Sequence, residues 1–99
     1  MNDELRQEWR TFELEEFPAE CLGRAAGDQT WEQVDAVTAA CISALLASGT
    51  LDGECRALLD DAILRLTEMT ALAEEDHRYY FSQLLELARQ AREAAGQQA

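Results

Sequence analysis

Ala36-Val-Thr-Ala-Ala-Cys-Ile-Ser-Ala-Leu-Leu-Ala-Ser-Gly-Thr-Leu51 contains no charged side chain, although the chain as a whole carries a net charge of −12. Carboxylates crowd both flanks. An uncharged run inside such a chain reads as a central helix packed within an acidic shell. Its 16 residues fall short of the ~20 that span a bilayer, and they include Thr38, Ser43 and Gly49, so no membrane span is expected. Immediately upstream, Thr30-Trp31-Glu32-Gln33 fits a capping box, in which Thr30 and Gln33 satisfy each other's free backbone N–H groups. The predicted helix runs to about Ser48 and stops at Gly49. Its apolar stripe is Trp31, Val34, Thr38, Cys41 and Leu45, widened by Ile42 and Leu46.

Helical periodicity continues on both sides. Downstream, a helix from about Asp52 places Cys55, Leu58, Leu59, Ala62, Leu66, Met69 and Ala73 on one side. A break is expected around Ala71 to Glu74, with one helix from 52 to 94 as the alternative. The final helix carries His77, Phe81, Leu84, Ala88, Ala91 and Ala95 at spacings of four and three, and frays at Gly96. Upstream, Leu5, Trp9 and Phe12 mark a first helix from about Asp3 to Glu16. Phe17-Pro18 ends it, because proline disfavours helical geometry in the residue before it. Pro18 then opens a short helix ending near Gly23 to Gly27. Acid-before-base pairs at i, i+4 (Glu20/Arg24, Asp52/Arg56, Asp61/Arg65, Glu74/Arg78) are expected to support the helices locally. No alternating strand pattern competes. The expected fold is all-α: one domain over 1–99, a small four-helix bundle with a short extra helix near Pro18 and no sheet.

Composition narrows the function classes. Hydrophobic residues make up 47% of the chain, too many for a disordered acidic tail. Cys21, Cys41 and Cys55 are odd in number and lie on helix faces, which argues against a disulfide framework and for a reducing, cytoplasmic setting. The polar, acidic start Met-Asn-Asp-Glu-Leu-Arg gives no sign of a secretory signal. All basic residues are arginine and alanine is abundant, a composition associated with GC-rich bacterial genomes. Direct nucleic-acid binding is disfavoured, because phosphate contacts need basic patches.

Catalytic and metal chemistry find little footing. His77 is the single histidine, and no serine is placed beside it. Glu74-Glu75-Asp76-His77 contains Glu-x-x-His, but the di-metal pattern requires a second copy. Cys21, Cys41, Cys55 and His77 form a ligand set that structural zinc accepts, yet their separations of 20, 14 and 22 residues include no close pair. No metal or cofactor is expected.

The charge itself is uneven. Residues 1–20 sum to −5, 21–51 to −2, 52–76 to −6 and 77–99 to +1. In the third block Glu54, Asp61, Glu68 and Glu75 recur every seven residues, along one water-facing line roughly 90–140° from the apolar stripe at 100° per residue. Leu64 falls among these acids, and Tyr79 projects opposite the stripe of the last helix, between Glu75, Gln83 and Glu86. A solubilising face explains the acids, but an apolar or aromatic anchor ringed by charge is also how protein-binding hot spots are built. Glu68-Met69-Thr70 with Asp76-His77-Arg78-Tyr79-Tyr80 resembles the segment of colicin DNase immunity proteins in which an acid and a tyrosine pair meet the toxin. Those proteins are also small, acidic and four-helical. Their proline after the tyrosines is Phe81 here, and their loop before the last helix is missing. The resemblance implies toxin-facing roles for Asp76, Tyr79 and Tyr80.

The reading is a non-enzymatic acidic helical protein that binds and neutralises a basic protein partner, as an immunity protein, antitoxin or nucleic-acid-mimicking inhibitor does. Its expected partner-binding residues are Glu54, Asp61, Leu64, Glu68, Glu75, Asp76 and Tyr79. The alternatives are an assembly, chaperone or adaptor subunit acting as a homodimeric bundle and, more distantly, a small metal-dependent enzyme.

Overall fold

The uncharged stretch is helical as far as Ser48, and the capping box before it is formed: the Thr30 side chain accepts from the Gln33 backbone N–H at 3.3 Å, and Gln33 Oε1 accepts from Thr30 N–H at 2.8 Å. In this computed structural model, which describes residues 3–96, the chain runs α1 (Asp3–Phe12), a 3₁₀ turn (Ala19–Cys21), β1 (Ala25–Ala26), β2 (Gln29–Thr30), α2 (Trp31–Ser48), α3 (Gly53–Leu72) and α4 (Glu75–Gly96). Residues 1, 2 and 97–99, where the expected 1–99 limits fall, lie outside the described residues. The chain is a four-helix arrangement, as its periodicity predicts. No helix among the described residues is long and apolar enough to cross a membrane.

The expectation of no sheet is corrected by a small antiparallel hairpin, with Ala25 opposite Thr30 and Ala26 opposite Gln29. Its two-residue connection is Gly27-Asp28. Gly27 has φ +66° and Asp28 does not have positive φ, the sign pattern of a type II′ turn. Positive φ favours glycine here, and a Cβ would also displace the far end of the Arg65 side chain. Arg65 fastens the hairpin to α3. It donates to the Ala26 carbonyl, to Asp28 Oδ1 at 2.9 Å and to Asp61 Oδ2 at 2.7 Å.

Two helix limits also differ from expectation. α1 stops at Phe12 instead of Glu16. The carboxylates of Glu13, Glu15 and Glu16 would sit at the negative end of the helix dipole, and the chain must turn so that Phe17 packs edge-on against Tyr80 and Phe81 at 5.8 Å each. The segment after Pro18 forms one 3₁₀ turn and no longer helix. The break expected around Ala71 to Glu74 is present, so α3 and α4 are separate: Ala73 is extended (φ −67°, ψ 144°), and its N–H closes the last turn on the Met69 carbonyl at 2.8 Å.

Packing follows the predicted stripes. Trp31, Val34, Thr38, Cys41, Ile42, Leu45 and Leu46 of α2 are buried, as are Leu59, Ala62, Leu66 and Met69 of α3. Leu58 lies on the edge of its stripe and is 42% exposed, a correction to its predicted core place. α4 packs against all three other helices. It buries Phe81, Leu84, Ala88, Ala91 and Ala95, with Leu85 and Leu87 added. Ring contacts link Trp9, Phe12, Tyr80, Phe81 and Trp31 in sequence, with centroids 4.8–5.6 Å apart. Of the four predicted i, i+4 pairs only Asp61–Arg65 forms an ion pair. Arg24 instead lies over the Trp31 ring, Arg78 donates to the Ala73 carbonyl, and Asp52 caps α3 by accepting from Cys55 N–H.

Candidate functional site

α1 separates its charges by side. Leu5, Trp9 and Phe12 face α4 and are buried. Glu4, Glu8 and Thr11 follow each other at i, i+4 and i+7 along one flank of this stripe, whereas Arg6 and Arg10 lie on the other flank beside Leu46 and Ala47. The acidic flank forms one wall of a groove of about 510 Å³. Glu15, in the turn after α1, also lines it. α4 supplies Tyr79, Tyr80 and Gln83, and Phe12 adds its ring to the floor. No arginine lines this groove. A second hollow, of about 330 Å³, shares Glu8, Tyr79 and Gln83 with the first and continues past Leu87 to Gln90, so Tyr79 stands between the two.

The two adjacent tyrosines play different parts. Tyr79 is 67% exposed and its hydroxyl accepts from Gln83 Nε2 at 3.0 Å. Tyr80 is half-buried, and its hydroxyl donates to Asp35 Oδ2 of α2 at 2.6 Å. Burial, and then the bonded carboxylate, push the Tyr80 phenol far above its ordinary range, so it stays protonated. Burial also raises the Asp35 carboxyl, against the lowering effect of the Tyr80 bond. The Tyr80 ring is thus fixed at both ends, by Asp35 at its tip and by Phe12 at a centroid distance of 4.8 Å.

Every residue predicted for partner binding is exposed: Glu54, Asp61, Leu64 and Glu68 on α3, and Glu75, Asp76 and Tyr79 on α4. Only Tyr79 belongs to the groove. Asp61 is engaged by Arg65, so the seven-residue acidic line is interrupted at its second member. Leu64 is 68% exposed on that face. Of the positions implied by the immunity-protein resemblance, Asp76 and Tyr79 face water, while Tyr80 turns its hydroxyl inward. Glu4, Gln7, Glu8, Thr11, Phe12, Glu15 and Gln83 are the groove residues that sequence reasoning passed over as partner-binding positions.

The cysteines divide between two places. Cys41 and Cys55 meet where α2 faces the start of α3, the Cys41 thiol pointing to the Cys55 carbonyl at 3.6 Å, and burial raises the Cys41 thiol. His77 pairs with Glu20 at 3.3 Å, next to buried Cys21. Among the described residues, no three His, Cys, Asp or Glu side chains gather in a way that could hold a metal ion. Comparison with family models, with curated proteins and with solved structures gives no match.

Proposed function

We propose that this chain is a non-enzymatic acidic protein of the bacterial cytoplasm that binds and neutralises a basic protein partner, in the manner of an immunity protein, antitoxin or nucleic-acid mimic. The observation that carries the reading is the groove between α1 and α4, where three carboxylates and aromatic rings share the lining and none of the carboxylates has an ion-pair partner among the described residues. A concave surface of one sign focuses the field and raises encounter rates with an opposite charge by about 10–10³-fold, less at high salt. Tyr79 anchors the partner, while Glu54, Glu68, Glu75 and Asp76 extend the field beyond the groove, with Asp61 and Leu64 on the same α3 face.

The test uses the wild-type chain and a Glu4→Gln, Glu8→Gln, Glu15→Gln variant as parallel baits in a low-salt lysate of the native host. The wild type should retain a protein of high isoelectric point that the variant does not, and rising salt should release it. Retention of the same proteins by both baits would contradict the reading. The alternative, a homodimeric assembly subunit, is favoured by the exposed Leu64 and Leu72 of α3 (68% and 64%). It predicts a dimer in sedimentation that salt does not dissociate.

A further inference from the structure

We infer that the α1/α4 groove is a receptor for an arginine side chain of the partner, its guanidinium stacked on the tyrosine side and donating to the carboxylate wall. This rests on the functional reading above and narrows it from a basic protein to one residue type. The argument starts from which hydrogen-bonding groups the groove leaves over. Part of its donor capacity is engaged within the protein: the Thr11 hydroxyl donates to the Gln7 carbonyl at 3.2 Å, one Gln83 Nε2 hydrogen to the Tyr79 hydroxyl at 3.0 Å, and the Tyr80 hydroxyl to Asp35 at 2.6 Å, which leaves the Gln7 amide, the second Gln83 N–H and the Tyr79 O–H against the carboxylates. What remains is an excess of acceptors. The Glu4, Glu8 and Glu15 carboxylates accept only, and none of them has an ion-pair partner among the described residues. Such a surface selects a ligand made of donors, and guanidinium offers five in a fixed plane with no acceptor.

The aromatic floor separates arginine from lysine. A planar, weakly hydrated guanidinium stacks on a ring face while its edge donates to carboxylates, whereas an ammonium is a compact, strongly hydrated point charge. The floor is held ready for this, because Tyr80 is pinned by Asp35 and by Phe12. The chain already uses the same chemistry internally: Arg24 Cζ lies 4.0 Å from the centroid of the Trp31 ring.

The test is an NMR titration of the isotope-labelled full chain with acetyl-Gly-Arg-Gly-Arg-Gly-amide, its lysine counterpart and its citrulline counterpart. Shifts should concentrate at Phe12, Tyr79, Tyr80 and Gln83. The arginine peptide should bind about 2–5-fold tighter than the lysine peptide, the factor a surface cation–π contact supplies, and the uncharged citrulline peptide should not bind. Glu8→Gln and Tyr79→Ala should each weaken the arginine peptide, with Glu4→Gln as the substitute if either fails to fold, and Leu22→Ala, at an exposed position between the 3₁₀ turn and β1, should leave it unchanged. Equal binding of arginine and lysine peptides in the groove would overturn the arginine inference and leave the basic-partner reading standing. Shifts outside the groove, or groove shifts that follow protein concentration alone and so reveal a second copy as occupant, would overturn the inference. Absence of binding by all three peptides would remove both readings.

Discussion

Two acidic surfaces of this molecule look alike in sequence and differ in structure. On α3, Glu54, Asp61 and Glu68 form a convex line in which Asp61 is bonded to Arg65, an arginine that also holds Asp28 and the Ala26 carbonyl. On α1, Glu4 and Glu8 wall a groove lined by aromatic rings and by no arginine, Arg89 of α4 lining only the adjoining hollow. The α3 line is partly consumed in holding a hairpin to a helix. The α1 wall has no such internal use. The lesson is that carboxylate density does not distinguish a binding surface from a solvated one. The distinction lies in whether the charges already have partners and whether a concave apolar surface lies between them.

The comparison breaks first if the floor is not held as described. Phe81 is fully buried, with Trp31 at 5.0 Å and Phe17 at 5.8 Å. Phe81→Ala should cost about 3–5 kcal/mol in denaturant unfolding and disorder the tyrosine side of the groove. The adjacent tyrosines sharpen the contrast. Tyr80→Phe removes the donor to half-buried Asp35 and should cost about 1–3 kcal/mol. Tyr79→Ala, on an exposed side chain, should stay within about 0.5 kcal/mol. Equal effects of the two on the melting curve would mean that the roles are misassigned.

The hairpin clamp tests the other surface. Gly27→Ala combines positive φ with displacement of the far end of the Arg65 side chain and should destabilise by more than about 1 kcal/mol, without altering a probe's affinity for the groove. A loss of groove binding in that folded variant would join the two surfaces that the account separates.

A smaller effect should appear as pH dependence. Burial raises the Asp35 carboxyl above its ordinary value, so the native state takes up this proton more readily than the unfolded chain does. Its stabilising share is complete below the ordinary carboxylate pKa and is lost as pH rises through the raised value. Asp35→Asn should therefore gain stability relative to wild type as pH rises from about 4, with the Tyr80 hydroxyl still accepted by the amide oxygen. Asp52 has the opposite sign, since the Cys55 backbone N–H lowers its pKa, and its contribution is lost as pH falls through that lowered value. A wild-type and Asp35→Asn pair whose melting temperatures run parallel across pH would refute the burial of this carboxyl.

Much of the fold was legible because local rules decide it. The Thr30/Gln33 box, the stop at Gly49, the α2 stripe and the exposed places of Leu64 and Tyr79 all follow from helical spacing. The hairpin escaped because strands of two residues carry no alternation, although Gly27-Asp28 is itself a turn signal. Arg65 was read as a local i, i+4 partner of Asp61. Its longer reach to Asp28 depends on how the hairpin docks, which spacing does not encode. The groove was half legible. Glu4, Glu8, Thr11 and Glu15 form a row beside the Leu5-Trp9-Phe12 stripe, visible at helical spacing. That this row faces Tyr79 and Tyr80 is a fact of how α1 packs on α4, and no pattern within either helix states it.

The central claim is that the groove, and not the α3 line, receives the basic partner. The most direct measurement is the association and dissociation kinetics of the captured basic protein with three chains: wild type, Glu4→Gln/Glu8→Gln/Glu15→Gln, and Glu54→Gln/Glu68→Gln. At low salt the groove variant should associate about tenfold more slowly and release the partner faster, while the α3 variant, which loses only outlying field, slows by less and releases the partner at the wild-type rate. An α3 variant impaired as much as the groove variant, with both folded by circular dichroism, would contradict the account.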